Sequence, residues 1–406
     1  MTTATQKIPS GYKQTDIGVI PADWDMKRLG DIGECLIGLT YKPSDVSHQG
    51  MLVLRSSNIQ NDKLAFDDNV YVGVDVPEKI KVKNGDILIC VRNGSRNLIG
   101  KCALLDSRVE GQTFGAFMSV FRTPYYGYIF HQFQSDNIQR QINENIGATI
   151  NQITNKNLNS FRVAFPNKEE ERSAISNVLS DSDGLIEKLE RLIEKKKQIK
   201  QGTMQELLTG KRRLPGFSGK WESKTLEEIA DVNMGQSPSS SSYNIAGHGI
   251  PLIQGNADID NRKSIKRVWT TQKTKTCKAG DIIMTVRAPV GLVGLASEDS
   301  CLGRGVCSFK IKNIKKDFLF HSLIFNESAW KILEQGSTFT AANSSQIKIF
   351  GLRVPPTQSE QTAIATILSD MDTEIEKLES QLTKYQNLKQ GMMQVLLTGK
   401  IRLLSK

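Results

Sequence analysis

The feature that most constrains this chain is an internal repeat. Residues 174–214 align without a gap on residues 363–403, at a constant offset of 189, and over half of the aligned positions are identical. Both copies contain the strings LSD, IEKLE and KQG, and both close with LLTGK. The same offset continues upstream, where residues 147–166 fall on residues 336–355. The chain therefore contains two copies of one unit.

Each unit has two parts. The first is a body whose sequence differs between the two copies, and the second is a tail whose sequence is similar in both. In the bodies, residues 85–91 correspond to residues 280–286, and Trp24 corresponds to Trp221. The two corresponding runs are short and rich in β-branched residues, so both are predicted to be buried strands. The similarity of the two tails indicates that both serve the same structural or partner-binding role. The difference between the two bodies indicates that they bind two different targets.

The tails are predicted to be long helices with an apolar heptad stripe. In the second tail only Lys389 interrupts the stripe, and in the first tail Ser182 and Lys196 weaken it. Gly210 and Gly399 stand where a helix-terminating glycine is expected. The predicted seam of the helix pair consists of Ile175, Leu179, Ile186, Leu189, Ile193, Ile364, Leu368, Met371, Ile375, Leu378, Leu382 and Tyr385.

The two helices are predicted to pack on each other, antiparallel about a pseudo-two-fold axis. Roughly 35 helical residues at ~1.5 Å rise give a rod of about 50 Å. Bodies at the two ends of such a rod would touch two sites separated by a gap on an extended partner. The alternative is that each helix packs into a separate globular core.

The predicted fold class is mixed α+β, with two globular bodies separated by two long antiparallel helices that form a coiled-coil spacer. The predicted boundaries are residues 1–166 for the first body and 167–210 for the first helix. Residues 211–355 form the second body and residues 356–406 the second helix.

Charge and composition favour a polyanionic partner and the cytoplasm. The net charge is +10, for which simple solubility is the alternative explanation. No signal core or membrane-length apolar stretch is present, so membrane association is not expected. The six cysteines show no zinc-ligand spacing. Cys301 and Cys307 could share a metal, but buried thiols are favoured, and no metal is expected.

Polar loops in the bodies are the candidates for DNA contact, because arginine pairs with guanine and asparagine with adenine, and hydroxyls suit phosphate. The alternative is that these residues cap helices and turns. The candidates are Arg55, Ser57, Asn58, Arg92, Asn93, Ser95, Arg96, Thr149, Asn151, Gln152, Asn256, Arg262, Lys263, Arg287, Thr338, Asn343 and Ser344.

Sequence signatures of catalysis are missing. The chain has no GxxxxGK[ST] phosphate loop, so ATP hydrolysis is not expected. Pro355-Pro356 follows Val354 and precedes Thr357, which is not the Asn-Pro-Pro-aromatic string of amino-methyltransferases. An ExK string at Glu194 lies inside a heptad helix and is interpreted as coincidence. No catalytic residue and no cofactor of the chain's own are predicted.

Several strings together resemble one family, the specificity subunit of type I restriction–modification systems. They are the opening YKQTDIGVIPADWDMKRLGDIG from Tyr12, the GDIL-type strand at Gly85, and the EEERSAI and SEQTAIATILSDMD strings that begin the helices. The resemblance covers essentially the whole chain. It implies two target-recognition domains, each reading half of a split DNA sequence, and a coiled-coil spacer between them.

The resemblance also implies partners. Members of this family lack catalytic residues and bind two modification subunits, which carry S-adenosylmethionine and methylate adenine. Through these they bind restriction subunits, to which ATP and Mg²⁺ belong. The resemblance supplies no base-contacting residues, so the candidates above rest on chemistry and placement. The competing interpretations are a stand-alone DNA methyltransferase or nuclease, and a structural coiled-coil connector.

Overall fold

The computed structural model describes residues 8–147, 151–330 and 341–403. It divides into unit 1, Met1–Leu189 with Gln381–Lys406, and unit 2, Glu190–Ser380. The helices of the described residues are α1 (Leu29–Ile32), α2 (Tyr126–Gln134), α3 (Asp136–Asn145), α4 (Asn155–Ser160), α5 (Glu169–Leu207), α6 (Leu226–Ile229), α7 (Lys316–Phe325), α8 (Ser344–Lys348) and α9 (Gln358–Leu396). Each unit thus contains one body and part of each long helix, α5 and α9.

The body of unit 1 is built from short strands. They are β1 (Tyr12–Thr15), β2 (Gly18–Pro21), β3 (Trp24–Arg28), β4 (Glu34–Ile37), β5 (Val46–Ser47), β6 (Met51–Leu54), β7 (Ile59–Gln60), β8 (Lys63–Leu64), β9 (Tyr71–Val72), β10 (Ile87–Cys90), β11 (Cys102–Leu104), β12 (Thr113–Phe114), β13 (Met118–Arg122) and β14 (Arg162–Pro166). The main sheets have the orders β11-β10-β13-β4 and β12-β6-β9-β5. The predicted strand within residues 85–91 is confirmed as β10, which is buried along its whole length.

The body of unit 2 repeats this plan. Its strands are β15 (Glu222–Thr225), β16 (Ala230–Met234), β17 (Tyr243–Asn244), β18 (Ile250–Ile253), β19 (Ile259–Asp260), β20 (Lys263–Ser264), β21 (Trp269–Thr270), β22 (Lys275–Cys277), β23 (Ile282–Thr285), β24 (Val293–Leu295), β25 (Ser300–Leu302), β26 (Val306–Ile311) and β27 (Gly351–Val354). The sheets have the orders β16-β26-β23-β24-β20-β19 and β17-β21-β18-β25-β22. The predicted strand within residues 280–286 is β23, also fully buried.

In each body the last strand pairs with a strand near the start of that body, which is β3 in unit 1 and β15 in unit 2. Strand β14 runs antiparallel to β3, with Pro166 opposite Trp24. Strand β27 runs antiparallel to β15, with Val354 opposite Glu222. The chain therefore returns to the start of each body, at β3 or β15, before it continues into a long helix. This pairing places Trp24, which is fully buried, and Trp221 close to the starts of those helices.

The ends of the long helices are embedded in the cores of the bodies. Ile175 and Leu179 belong to the core of unit 1 together with Leu396 of α9. Ile364 and Leu368 belong to the core of unit 2. At the helix ends the predicted seam residues therefore also pack into the bodies, as the globular-core alternative predicts.

The middle of the helices keeps the predicted apolar positions. Ile186, Ile193 and Ile375 are buried. Half-buried positions of the predicted seam are Leu189, Met371, Leu378, Leu382 and Tyr385. The mixed α+β class and the internal repeat are confirmed.

Each long helix is closed by a glycine in the left-handed conformation. Helices α5 and α9 end at Leu207 and Leu396, three residues before Gly210 (φ 72°) and Gly399 (φ 70°). A Cβ on Gly399 would lie 2.4 Å from Pro21 Cγ. The predicted glycine terminators are confirmed, because both the backbone angle and the close approach of strand β2 favour a residue without a side chain.

Candidate nucleic-acid interface

Three polar segments predicted to contact DNA meet on one face of unit 1. The Asn93 side-chain amide donates a hydrogen bond to Ser56 Oγ at 3.2 Å. The Asn93 backbone N–H donates to the carbonyl oxygen of Asn151 at 3.3 Å, and a β-bridge joins Arg92 to Gln152. We call this face surface 1, and it comprises Arg55, Ser56, Ser57, Arg92, Asn93, Ser95, Arg96, Phe117, Asn151 and Gln152.

Surface 1 carries cations that are available to a phosphate. Arg92 and Arg96 are exposed, and in the described part of the chain neither forms an ion pair with a carboxylate. Arg96 donates to the Asn143 carbonyl oxygen at 3.2 Å. Arg55, in contrast, pairs with Asp68 at 2.8 Å. Arg92 is therefore the cation of this surface with the greatest freedom to neutralise a phosphate.

Phe117 belongs to surface 1 and was not among the sequence candidates. Its ring is 58% exposed, and the Arg92 guanidinium lies 4.9 Å from the ring centroid. The Phe117 carbonyl oxygen accepts hydrogen bonds from the N–H groups of Val91 and Arg92, each at 3.1 Å. An aromatic residue just before a strand normally predicts burial, so the local pattern gives no signal for this exposed position.

The prediction that Asn58 contacts DNA is corrected, because the Asn58 side chain is fully buried. Its amide donates to the carbonyl oxygen of Ala65 and to Asn69 Oδ1, each at 3.0 Å, while its oxygen accepts from the Arg55 N–H at 2.9 Å. Asp258 in unit 2 is buried in the same way and accepts from the N–H of Gln254 at 2.7 Å. Asn58 thus shapes the loop from inside.

Unit 2 presents the same backbone frame with different side chains. Arg287 bridges to Ala341 as Arg92 bridges to Gln152. The Val286 N–H donates to the Gly305 carbonyl oxygen at 2.8 Å, so Gly305 occupies the place of Phe117. We call this face surface 2, and it comprises Gln254, Asn256, Arg287, Arg304, Gly305 and Ala341.

Some of the candidates in unit 2 cap a helix, which was the alternative to DNA contact. The Asn343 side chain caps helix α8 by accepting from the Gln346 N–H at 2.9 Å, and Ser344 is the first residue of that helix. Asn343 is nevertheless exposed, so its DNA contact stays a prediction. Thr149 and Thr338 lie outside the described residues.

Arg262 and Lys263 lie beside the long helices and not on surface 2. Arg262 has φ 64° at the tip of the β19–β20 hairpin, and its guanidinium pairs with both carboxylate oxygens of Glu327. Lys263 Nζ is 3.9 Å from Glu376 of α9. The prediction of phosphate contact is corrected for Arg262, because its charge is already compensated within the unit. The corresponding hairpin of unit 1 pairs Lys63 with Glu187 of α5 at 3.5 Å.

Within each unit the two long helices run antiparallel. In unit 1, Asp183 of α5 pairs with Lys389 of α9 at 2.6 Å, and Glu171 near the start of α5 pairs with Arg402 after the end of α9. In unit 2, as the residue number rises along α5, the number of its partner in α9 falls. The pairs are Lys196–Glu374, Lys200–Asp372 and Arg213–Glu360.

A buried arginine–glutamate pair, which we call the clip, ties the helices together at the base of each body. Arg402 Nη2 lies 2.7 Å from Glu171 Oε2, and Glu171 also accepts from the Trp24 indole at 3.1 Å. Asp23 Oδ1 accepts from Arg402 at 2.9 Å. The hydrogen bonds that Arg402 donates to Glu171 and Asp23 raise the pKa of Arg402 above its usual value, so the guanidinium stays charged.

Unit 2 has an equivalent clip, formed by the residues that correspond to Arg402 and Glu171 in the internal repeat. Arg213 Nη2 lies 2.8 Å from Glu360 Oε2, and its guanidinium stands over the Trp221 ring at 5.9 Å. Glu360 and Glu171 are each 1% exposed. The sequence repeat placed both arginines and both glutamates at equivalent positions, but only the antiparallel arrangement pairs each arginine with the glutamate of the other helix.

A second duplicated cluster, the lysine cluster, explains why lysine interrupts the heptad stripe. Lys389, which is largely buried, pairs with Asp183 at 2.6 Å. His131 of α2 lies 4.0 Å from the same aspartate and 3.2 Å from Ser180 Oγ. In unit 2 the same roles fall to Lys200, Asp372, His321 and Ser369. A polar seam position of this kind specifies register and orientation in helix pairs.

The two cluster histidines predict a loss of stability in mild acid. Burial is the main cause that lowers the pKa of His131 and of His321 to about 4. As pH falls below the unfolded value of 6.5, only the unfolded chain gains these protons, so stability falls until about pH 4. Each histidine is expected to remove about 2 kcal/mol between pH 7.5 and pH 5. Urea unfolding of the protein and of the variant His131→Gln/His321→Gln measures this, and an equal pH dependence of both would contradict it.

The comparisons with known proteins agree with this arrangement. A sequence model described as the type I restriction modification DNA specificity domain matches residues 21–201 and 218–384. The chain belongs to this family. The resemblance noted in the sequence is thereby confirmed, and the chain is a DNA-specificity subunit.

The relatives match over nearly their whole length. A putative type I restriction enzyme MjaX specificity subunit of Methanocaldococcus jannaschii is 32% identical, with 96% of each chain covered. The StySPI specificity subunit of Salmonella potsdam is 22% identical, over 95% of this chain and 90% of its own.

Solved structures bear on the fold of this family. The S subunit of a type I system from M. genitalium has a TM-score of 0.64 at 14% identity, and covers 98% of this chain and 99% of its own. A chain from a study of complex assembly and conformational transition of the type I R–M system has a TM-score of 0.58 at 23% identity, over 94% and 99%.

Two further structural findings concern classes of site. No described helix combines the length and the apolarity that a membrane crossing needs. In residues 8–147, 151–330 and 341–403, no three histidine, cysteine or acidic side chains are grouped as a metal site. Cys301 and Cys307 are buried, and burial raises the pKa of the Cys307 thiol to about 12.

Proposed function

We propose that the two bodies of this DNA-specificity subunit read the two halves of a bipartite double-stranded DNA target through surface 1 and surface 2. The observation that carries this proposal is one backbone frame with two sets of side chains. Arg92 and Arg287 hold equivalent places on the frame, whereas Phe117 is replaced by Gly305. A retained arginine suits a phosphate, which is common to every sequence, and the replaced residues suit bases, which differ.

The chain supplies recognition and assembly in this proposal, and partner subunits supply the chemistry. Two modification subunits would carry S-adenosylmethionine, and restriction subunits would carry ATP and Mg²⁺. Support comes from the missing phosphate loop and methyltransferase string, and from family membership. Exposed apolar residues on α5, among them Leu192 and Ile199 one heptad apart, offer a helical face to such a partner.

Exchange of one body tests this function. Residues 1–166 are replaced by the corresponding body of a relative, and methylated adenines are mapped genome-wide in cells that also carry the modification partner. We expect one half of the recognised sequence to change and the other half to stay the same. The matched exchange of residues 211–355 should change only the other half.

Two outcomes would contradict the proposal. In one, either exchange alters both halves of the target, which would mean that the bodies do not read separately. In the other, the purified chain alone transfers methyl groups to DNA, which would assign the chemistry to this chain.

A further inference from the structure

We infer that Phe117, held against Arg92, determines part of the sequence specificity of the first half-site through apolar contact with DNA bases. This inference rests on the proposed function of surface 1 and assigns a residue to it. Its supports are the exposure of the ring, the rigid setting of its backbone, the cleft beside it, the replacement of the residue in unit 2, and the charge around the ring.

The exposed ring of Phe117 is held in place by its neighbours. Two hydrogen bonds fix the Phe117 carbonyl oxygen to the strand-end residues Val91 and Arg92. On the other side of the residue, Met118 begins β13 and is buried. The Arg92 guanidinium covers one ring face at 4.9 Å. A side chain restrained in this way loses little conformational entropy when it meets a ligand.

An open cleft lies beside the ring. It has a volume of about 730 Å³, and Tyr41, Arg55, Ser57 and Phe117 are among the residues that line it. Leu39, Val46 and Met118 add apolar side chains to its lining. A base edge with an apolar group, such as the methyl group of thymine, is matched by this chemistry, whereas a phosphate alone is not.

Unit 2 has no room for a side chain at the position that corresponds to Phe117. Gly305 replaces Phe117, and a Cβ on Gly305 would lie 2.1 Å from the Gln254 carbonyl oxygen. The exposed side chain next to it is Arg304. The two bodies therefore differ in the turn that precedes β13 in unit 1 and β26 in unit 2. This turn exposes an aromatic ring in unit 1 and an arginine in unit 2.

The charge around the ring argues for DNA as the occupant. Arg92 lies against the ring and has no carboxylate partner in the described residues. Lys101 Nζ lies 3.5 Å from the Ser56 carbonyl oxygen of the same surface, and Arg55, which lines the cleft, is paired with Asp68. An apolar ring beside an arginine whose charge is uncompensated is suited to base edges that lie between two phosphate backbones.

The test compares Phe117→Ala with Phe66→Ala in the assembled complex with its modification subunits. Phe66 is the matched control, because it is an exposed phenylalanine of the same body with Arg108 at 5.3 Å from its ring centroid. Genome-wide methylation mapping first defines the two half-sites of the wild type. Binding to duplexes with single substitutions in each half-site is then measured at several salt concentrations.

Phe117→Ala is expected to reduce discrimination at one or two positions of the first half-site by roughly tenfold. Discrimination in the second half-site and the slope of log affinity against log salt should be unchanged. Phe66→Ala should leave all of these as in the wild type.

Three results would overturn the inference. The first is unchanged discrimination by Phe117→Ala. The second is an equal loss in both half-sites. The third is weakened binding of the modification subunit with DNA selectivity intact, which would make the ring a protein contact. Failure of the wild type to show two half-sites would instead overturn the proposed function, so the two failures are distinguishable.

Discussion

Replacing Arg402 by methionine is expected to lower the free energy of unfolding by about 3–5 kcal/mol, because it leaves a buried carboxylate without its counter-charge. Glu171 is 1% exposed. The Trp24 indole would be the remaining donor among its described side-chain partners. Chemical denaturation followed by circular dichroism measures the loss, and thermal unfolding gives an independent check.

The clip of unit 2 and a surface pair provide the controls for this prediction. Arg213→Met should cost a similar amount, since Glu360 is equally buried. Arg108→Met breaks an ion pair with Asp106 that is exposed on both sides and should cost less than about 1 kcal/mol.

A compensating variant separates the lost charge from lost packing. The double substitution Arg402→Met/Glu171→Leu removes both charges of the clip, and it should recover much of the stability that Arg402→Met loses. If the single substitution cost no more than Arg108→Met, the clip would not stabilise the protein, and its role would have to be sought in partner binding.

Sequence periodicity predicted the two long helices and one buried strand in each body, but not the partners of individual side chains. The heptad stripe and the glycines gave both long helices, and β-branched runs gave β10 and β23, because these signals depend on neighbours within a few residues. The clip joins residues 231 positions apart. Such a pair depends on topology, and the repeat shows only that both copies contain the same residue types.

The candidate interface shows the same division between local and long-range information. Residue chemistry selected loops that the structure brings together on surface 1, such as those containing Asn93 and Asn151, and their contact with DNA stays a prediction. It included Asn58 and Arg262, whose partners arise from loop folding, and it gave no signal for the exposed position of Phe117. Polar residues that shape a loop and polar residues that read DNA have the same composition, so only their burial distinguishes them.

Reversing one charge of the lysine cluster is the second prediction with a large expected effect. Lys389→Asp would place a carboxylate beside Asp183 in the partly buried helix seam, where Lys389 now also donates to Gln134 Oε1 at 3.2 Å. We expect a loss of about 2–4 kcal/mol in the free energy of unfolding, because two like charges would meet with little solvent. Chemical denaturation measures the effect.

The exchange of both charges decides whether the cluster acts by pairing across the helices. Lys389→Asp/Asp183→Lys restores opposite charges at the same two positions and should recover at least half of the loss. Lys200→Asp/Asp372→Lys tests the copy in unit 2. Lys197→Asp, in a pair that is about half exposed on both sides, should cost less than about 1 kcal/mol. Equal losses in the single and double variants would mean that the seam needs lysine at this position for packing, and that the duplicated ion pair does not set the register of the helices.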